Sequence, residues 1–121
     1  TIYIYLSHLI KVEKNVLYED ITEYLRENYC KKITIEDLCK KYFVSRSKLF
    51  KLFKENAETP MNFLLRVRID KACNLLTTTD LSVTEIAEKV GIPDYNYFIK
   101  VFKKITAQTP YGYKKHLGNN K

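Results

Sequence analysis

The chain has 121 residues, 45% of them apolar and 13% aromatic, with three glycines and three prolines, a composition that fills the core of one domain and excludes both disorder and a collagen-like repeat. Lys and Arg outnumber Asp and Glu by 21 to 14, a net charge of +7, and the excess is uneven: residues 1–33 carry five basic and five acidic side chains, residues 34–121 sixteen and nine. A basic module behind a neutral lead-in fits a polyanionic partner, while no run reaches the ~18 uncharged apolar residues of a membrane span.

The opening Thr-Ile-Tyr-Ile-Tyr-Leu has no basic region or cleavage-like site, so it does not read as a signal peptide. It starts without Met, which fits a fragment with something preceding it. Ile2, Leu6, Leu9 and Ile10 have helical spacing, whereas the alternation Ile2, Tyr3, Ile4, Tyr5 also fits a short strand; helix is the preferred reading. Residues 1–15 are then the tail of an upstream domain or a connector. Leu17, Ile21, Tyr24 and Leu25 follow at i, i+4, i+7 and i+8, predicting a helix over about 14–31.

From Thr34 each expected helix begins with a side chain able to satisfy its free N–H groups. Thr34 and Asp37 form a capping-box pattern before Ile35, Leu38 and Cys39, and Ser45 precedes Leu49, Leu52 and Phe53. Thr59-Pro60 opens a longer helix with an inward stripe of Leu65, Ile69, Ala72, Cys73 and Leu76. Leu64, Val67 and Leu75 lie off that stripe, so the helix is apolar on more than one side, as between two packed units. Ser82 and Glu85 make a second capping box before Val83, Ile86, Ala87 and Val90; after Gly91, Asp94 caps a helix whose expected buried face is Phe98, Val101, Phe102 and Ile105. Thr109-Pro110 opens a last short helix.

The halves match one another. Leu38-Cys39 corresponds to Ile86-Ala87 at an offset of 48, Leu49, Phe53 and Lys54 to Phe98, Phe102 and Lys103 at 49, and Thr59-Pro60 to Thr109-Pro110 at 50. This is a duplicated two-helix unit. A short helix, a tight turn and a second helix form a helix-turn-helix arrangement, although any small helical bundle also contains two helices and a turn. The second helix of each pair discriminates. The first offers Arg46, Ser47, Lys48, Phe50, Lys51 and Lys54; the second offers Tyr95, Asn96, Tyr97, Ile99, Lys100, Lys103 and Lys104. No acidic residue lies between Arg46 and Lys54 or between Tyr95 and Lys104, whereas an ordinary surface helix mixes signs to gain i,i+4 pairs. That absence favours nucleic acid.

Ser45-Arg-Ser-Lys-Leu-Phe-Lys-Leu-Phe-Lys54, with Thr59-Pro60, Phe63-Leu64, Arg68-Ile69, Ala72 and Leu75-Leu76, resembles the first half of the DNA-binding domain of AraC/XylS-type bacterial transcription regulators. Thr79-Asp-Leu-Ser-Val-Thr-Glu-Ile-Ala87, Val90-Gly91, Asp94, Tyr97-Phe98, Val101-Phe-Lys-Lys104, Thr109-Pro110 and Tyr113 resemble that family's second-half signature. The resemblance covers about residues 16–117. It implies an all-α fold of about seven helices, with a first helix-turn-helix near 34–56, a linker helix at 59–77, a second helix-turn-helix near 82–107 and a tail at 118–121. A linker of residues 60–76 spans about 26 Å at about 1.5 Å per residue. With the widths of the docked helices added, this approaches the roughly 34 Å between successive major-groove faces.

The resemblance further implies sequence-specific binding to double-stranded DNA in a bacterial cytoplasm, an upstream sensor or oligomerisation domain, and contact with RNA polymerase. Carried over position by position, it assigns base contacts to Ser47 and Lys51 with Arg46 and Phe50 beside them, and to Tyr95, Asn96 and Lys100. Asn can pair with adenine, Lys can donate to guanine, and aromatic groups can touch thymine methyls. Lys48, Lys54, Lys103, Lys104 and Lys114 fall to phosphates, which position without specifying. Arg68 is open between a structural pair and a phosphate contact. The chain departs from the family at Ala57 and Ala107, where Gly is frequent, at Phe50 and Ile99, where Ser is common, and at Lys51 and Lys100, which replace Arg.

Other chemistries find little support. Cys30, Cys39 and Cys73 are odd in number, far apart and at positions that read as helix core, which argues against a disulfide framework and for a reducing compartment. His8 and His116 lie at opposite ends, and no cysteine pair has ligand spacing, so neither metal nor cofactor is expected. There is no glycine-rich phosphate loop, and each Ser, Cys or carboxylate has a simpler role as cap, core or surface group, so no enzyme is expected. Ten tyrosines invite single-strand stacking, but Tyr24, Tyr29 and Tyr42 sit where a core would use them. The competing class is a protein-interaction or assembly module whose basic helical faces do not read DNA sequence.

Overall fold

The computed structural model describes residues 2–119, with side chains described to Lys115. Of the tail expected at 118–121, residues 120 and 121 lie outside the described residues. The described residues form seven helices and no strand: α1 Ile2–Glu27, α2 Ile35–Tyr42, α3 Arg46–Lys54, α4 Pro60–Thr78, α5 Val83–Lys89, α6 Tyr95–Thr106 and α7 Pro110–Asn119. They divide into two compact units. One contains α1 through Asn28 and Ile33–Phe63; the other contains Tyr29–Lys32 and the chain from Leu64 onward.

In the first unit α1 is a single helix of 26 residues, so the opening alternation is helix rather than strand and no break falls at residue 15. It stops at Glu27, short of the expected 31: the Asn28 N–H still makes an i→i−4 bond to the Tyr24 carbonyl at 3.0 Å, and the Asn28 side-chain amide donates to the same carbonyl at 2.9 Å before the chain turns. Ile21 and Leu25 are fully buried, and the buried Thr22 hydroxyl donates to the Tyr18 and Glu19 carbonyls, both at 3.0 Å. Leu38 of α2 and Leu49, Leu52 and Phe53 of α3 supply more of this core. The Phe53 ring takes Tyr18 edge-on at 5.0 Å and Phe63 at 6.1 Å, spacings at which aromatic quadrupoles attract.

The second unit has a contiguous core. Ile69, Ala72 and Leu76 of α4 join Val83, Ile86 and Ala87 of α5, Val90 and Ile92 of the turn, and Phe98, Val101 and Phe102 of α6. Leu65, Cys73 and Leu75 of α4 pack partly against it, as does Tyr113 of α7. Ile105, expected on the same buried face, is 37% exposed; the apolar cluster takes nothing from α6 beyond Phe102, so the last turn has left it.

The caps account for where the helices start. Thr34 Oγ1 accepts from the Asp37 N–H at 3.1 Å while Asp37 Oδ2 accepts from the Thr34 N–H at 3.0 Å, the reciprocal box. Ser45 Oγ accepts from Lys48 N–H at 3.1 Å, and Asp94 Oδ1 from Tyr97 N–H at 3.0 Å. At α5 the box is altered: Ser82 Oγ accepts from Glu85 N–H, and the Glu85 carboxylate accepts from that same hydroxyl instead of from the backbone.

Helix ends repeat as well. α2 closes with Val44 N–H donating to the Cys39 carbonyl around a left-handed Phe43, and the α5 end closes with Ile92 N–H donating to Ala87 around Gly91, φ +86°. These two closures are 48 residues apart, the offset of the sequence repeat. α3 closes the same way, with Glu58 N–H donating to Phe53 around Ala57, φ 56°.

All three cysteines are free. Cys30 is exposed and lies in the turn after α1, not in a helix core, while Cys39 and Cys73 are half-buried. The early stop of α1 accounts for the difference at Cys30.

Candidate nucleic-acid interface

Each putting-inward of apolar residues determines what the same helix shows outside. In α3, burying Leu49, Leu52 and Phe53 leaves Arg46, Ser47, Lys48, Lys51 and Lys54 exposed, with Phe50 half-buried. In α6, burying Phe98, Val101 and Phe102 leaves Tyr95, Asn96, Tyr97, Lys100, Lys103 and Lys104 exposed. Ile99 is half-buried against the core cluster, so it is not part of the open face on which the sequence reading set it. Lys114 is exposed on α7.

Not every one of these side chains is idle. The Arg46 guanidinium lies 3.3 Å from Glu36 of α2 and 5.6 Å from the centroid of the Phe50 ring. Both partners of that ion pair are well exposed, so water and salt screen it and it is easily exchanged. The Tyr95 hydroxyl meets the Tyr111 hydroxyl of α7 at 3.5 Å, and that contact raises the Tyr95 phenol above its ordinary pKa.

Arg68 resolves as structural. It is half-buried and donates from Nε to the Tyr29 carbonyl at 2.7 Å and from an Nη to the Lys31 carbonyl at 2.8 Å. Burial lowers its pKa, yet a guanidinium stays protonated throughout the accessible range.

Two exposed aromatics escaped the sequence reading. Phe43, in the turn before α3, is 94% exposed; its place at the repeat offset from Gly91 was the available signal. Tyr111 is 61% exposed in the first turn of α7, and only its contact with Tyr95 brings it to the end of α6 that carries Asn96. Among the described residues no group of His, Cys, Asp and Glu could hold a metal, and no helix is long and apolar enough to cross a membrane.

The family described as "Helix-turn-helix domain" matches residues 38–116. The raffinose operon transcriptional regulatory protein RafR of Pediococcus pentosaceus is 39% identical over 110 residues, covering 90% of this chain and 40% of that protein. Among solved structures, the C-terminal domain of the two-component response regulator yesN of Fusobacterium nucleatum is 39% identical, with a TM-score of 0.75 over 80% of this chain and 96% of that one. The DNA-binding domain of the global transcriptional factor AdpA, solved with a target DNA, shares the fold at a TM-score of 0.80 and 21% identity, over 85% of this chain and 94% of that one. The chain spans about two-fifths of the length of a curated relative such as RafR. These relatives are transcription regulators, not enzymes. With its duplicated, capped helix pairs and the match over 38–116, the chain belongs to the AraC/XylS-type helix-turn-helix family of bacterial transcription regulators.

Proposed function

We propose that this chain is the sequence-reading part of a bacterial transcription regulator, laying α3 and α6 into successive major grooves of one duplex. The observation that carries the reading is the outer face of α6, where Asn96 and Lys100 stand one turn apart, Lys103 and Lys104 follow, and no carboxylate intervenes. In duplex DNA such a face meets acceptors and phosphates, and a carboxylate there would repel them. Asn96 pairs with adenine and Lys100 donates to guanine, with the Tyr95 ring against a thymine methyl while its hydroxyl holds Tyr111. In α3, Ser47 and Lys51 read bases with Phe50 beside them, and Arg46 joins them by leaving its exposed partner Glu36. Lys48, Lys54, Lys103, Lys104 and Lys114 neutralise phosphates. The likeness of fold to a domain solved on its target DNA supports the reading. An upstream sensor or oligomerisation region, contact with RNA polymerase and a cytoplasmic location complete it for the whole regulator.

Selection of bound duplexes from a random library at near-physiological salt tests this. The expected result is one asymmetric motif with two half-sites about one helical turn apart. Salt-sensitive retention with no enriched sequence would overturn it in favour of backbone binding or a protein partner.

A further inference from the structure

Tyr111 enters the DNA-binding reading only through Tyr95. Tyr95 is the first residue of α6 and Tyr111 the second of α7, and their hydroxyls meet at 3.5 Å. Apolar packing does not account for the meeting: the rings are 37% and 61% exposed, and neither belongs to the apolar cluster that the second unit is built on. Among the described residues neither hydroxyl has another hydrogen-bond partner, and neither α6 nor α7 carries a carboxylate that could draw one away.

The two tyrosines are mounted unequally. Around Tyr111 the backbone is tied down. In the turn before α7 the Thr106 hydroxyl lies 2.8 Å from the Phe102 carbonyl and accepts from the Gln108 N–H at 3.2 Å, and Thr109 Oγ1 caps α7 by accepting from the Gly112 N–H at 3.0 Å. Two residues past Tyr111, the Tyr113 ring meets the buried Phe102 edge-on at 5.7 Å. Tyr95 has a backbone opened under the Asp94 cap but no core contact for its ring, and an exposed side chain of that kind exchanges freely among its rotamers. The contact with Tyr111 is what selects among them.

We infer that Tyr111 is a positioning residue for base recognition: by holding the Tyr95 hydroxyl it presets the Tyr95 ring at the start of α6, and so sharpens discrimination at the base pair that ring meets. This rests on the reading of α6 as a major-groove helix. A thymine methyl, unlike the polar base edges open to Asn96 and Lys100, offers no hydrogen bond to orient an approaching ring, so the orientation must come from the protein. Rotamer freedom given up before binding is not lost again on binding. A hydroxyl contact of 3.5 Å is a weak one, and its effect is therefore a several-fold preference at one base pair, not a large share of the affinity.

Selection of duplexes from a random library by the full 121-residue chain and its variants reads this. Tyr95→Ala removes the ring and is expected to erase the preference at one column of the wild-type motif, which identifies that column. Tyr111→Phe and Tyr95→Phe keep both rings and delete one hydroxyl each; either is expected to reduce the preference there about two- to fivefold. The double variant goes no further than the single ones, since both delete the same contact. In Tyr111→Phe the other columns, including the one that Asn96→Ala erases, stay unchanged, as do the affinity for random duplex and the thermal melt. A phosphate contact by Tyr111 would instead weaken random and selected duplex alike, and a merely structural role would lower the melt and degrade every column. Either result, or a Tyr111→Phe motif identical to that of the wild type, would overturn this inference and leave the DNA reading standing. A wild-type chain that enriches no sequence would overturn both.

Discussion

Alanine is a costly occupant of a left-handed backbone position, and this chain uses it twice, at Ala57 (φ 56°) and Ala107 (φ 65°). The strain is on the order of 1 kcal/mol at each. Ala107→Gly and Ala57→Gly are each expected to raise stability by no more than about 0.5 kcal/mol, because the greater freedom of Gly in the unfolded chain offsets most of the relieved strain; chemical denaturation measures it. Gly91 cannot be exchanged the other way, because its φ is +86° and a Cβ would stand 3.2 Å from the carbonyl oxygens of both Tyr29 and Cys30. Titration follows burial. Desolvation raises the Cys73 thiol and the Tyr113 phenol, which neighbour each other, and it raises Tyr42, with Asp20 adding to the effect. Acids that hold their protons more tightly when folded stabilise the native state fully below their unfolded pKa values, about 8.5 to 10 for thiol and phenol, and lose that contribution as pH climbs through the higher folded values. Thermal melts from pH 7 to 11 are expected to fall above about pH 9, and less steeply in Tyr113→Phe. The caps were readable at this scale because Thr34, Ser45 and Asp94 each serve an N–H three residues on. Cys30 and Ile105 were misread because their exposure depends on where a helix ends against a core.

At the scale of elements, α2 to α7 follow from apolar spacing and caps, and the departures are instructive. Nothing local says that residues 2–16 continue α1 without a break, since their apolar side chains meet no core of their own unit. The face of α6 was legible except at Ile99, which a helical wheel puts outside and the breadth of the apolar cluster takes in. Least visible was the segment between α1 and α2. Arg68 holds it by two charge-assisted hydrogen bonds to backbone carbonyls, and an acceptor of that kind carries no side-chain signature. Arg68→Met is expected to cost about 2 kcal/mol or more, because a half-buried carbonyl loses its partner, and urea denaturation reads the loss. An arginine whose work was electrostatic attraction to DNA would leave stability unchanged when replaced.

Over the whole chain, the excess of positive charge follows residue 33, and the roles proposed for individual cations can be separated by what each would discriminate. Asn96→Ala and Lys100→Ala are expected to weaken binding to the selected site about tenfold or more while altering random-sequence binding little; Lys103→Ala should weaken both about equally. A competition assay that found the same loss for all three would remove the base-reading assignment. Such an assignment resists sequence inspection, because a lysine proposed to read a base and one proposed to meet a phosphate are the same residue type and differ only in their place along the helix. The two units also differ from the two halves that the repeat defines. Tyr29–Lys32 precedes α2 in the chain but belongs with the residues from Leu64 onward; Tyr29 packs on their core, and its carbonyl and that of Cys30 close around Gly91. A cut in α4 that followed the sequence repeat would therefore strip the C-terminal piece of four residues it needs. Gene fusions or truncations that treat the halves as interchangeable cassettes should yield a defective second cassette unless that tetrapeptide is supplied in trans or spliced back.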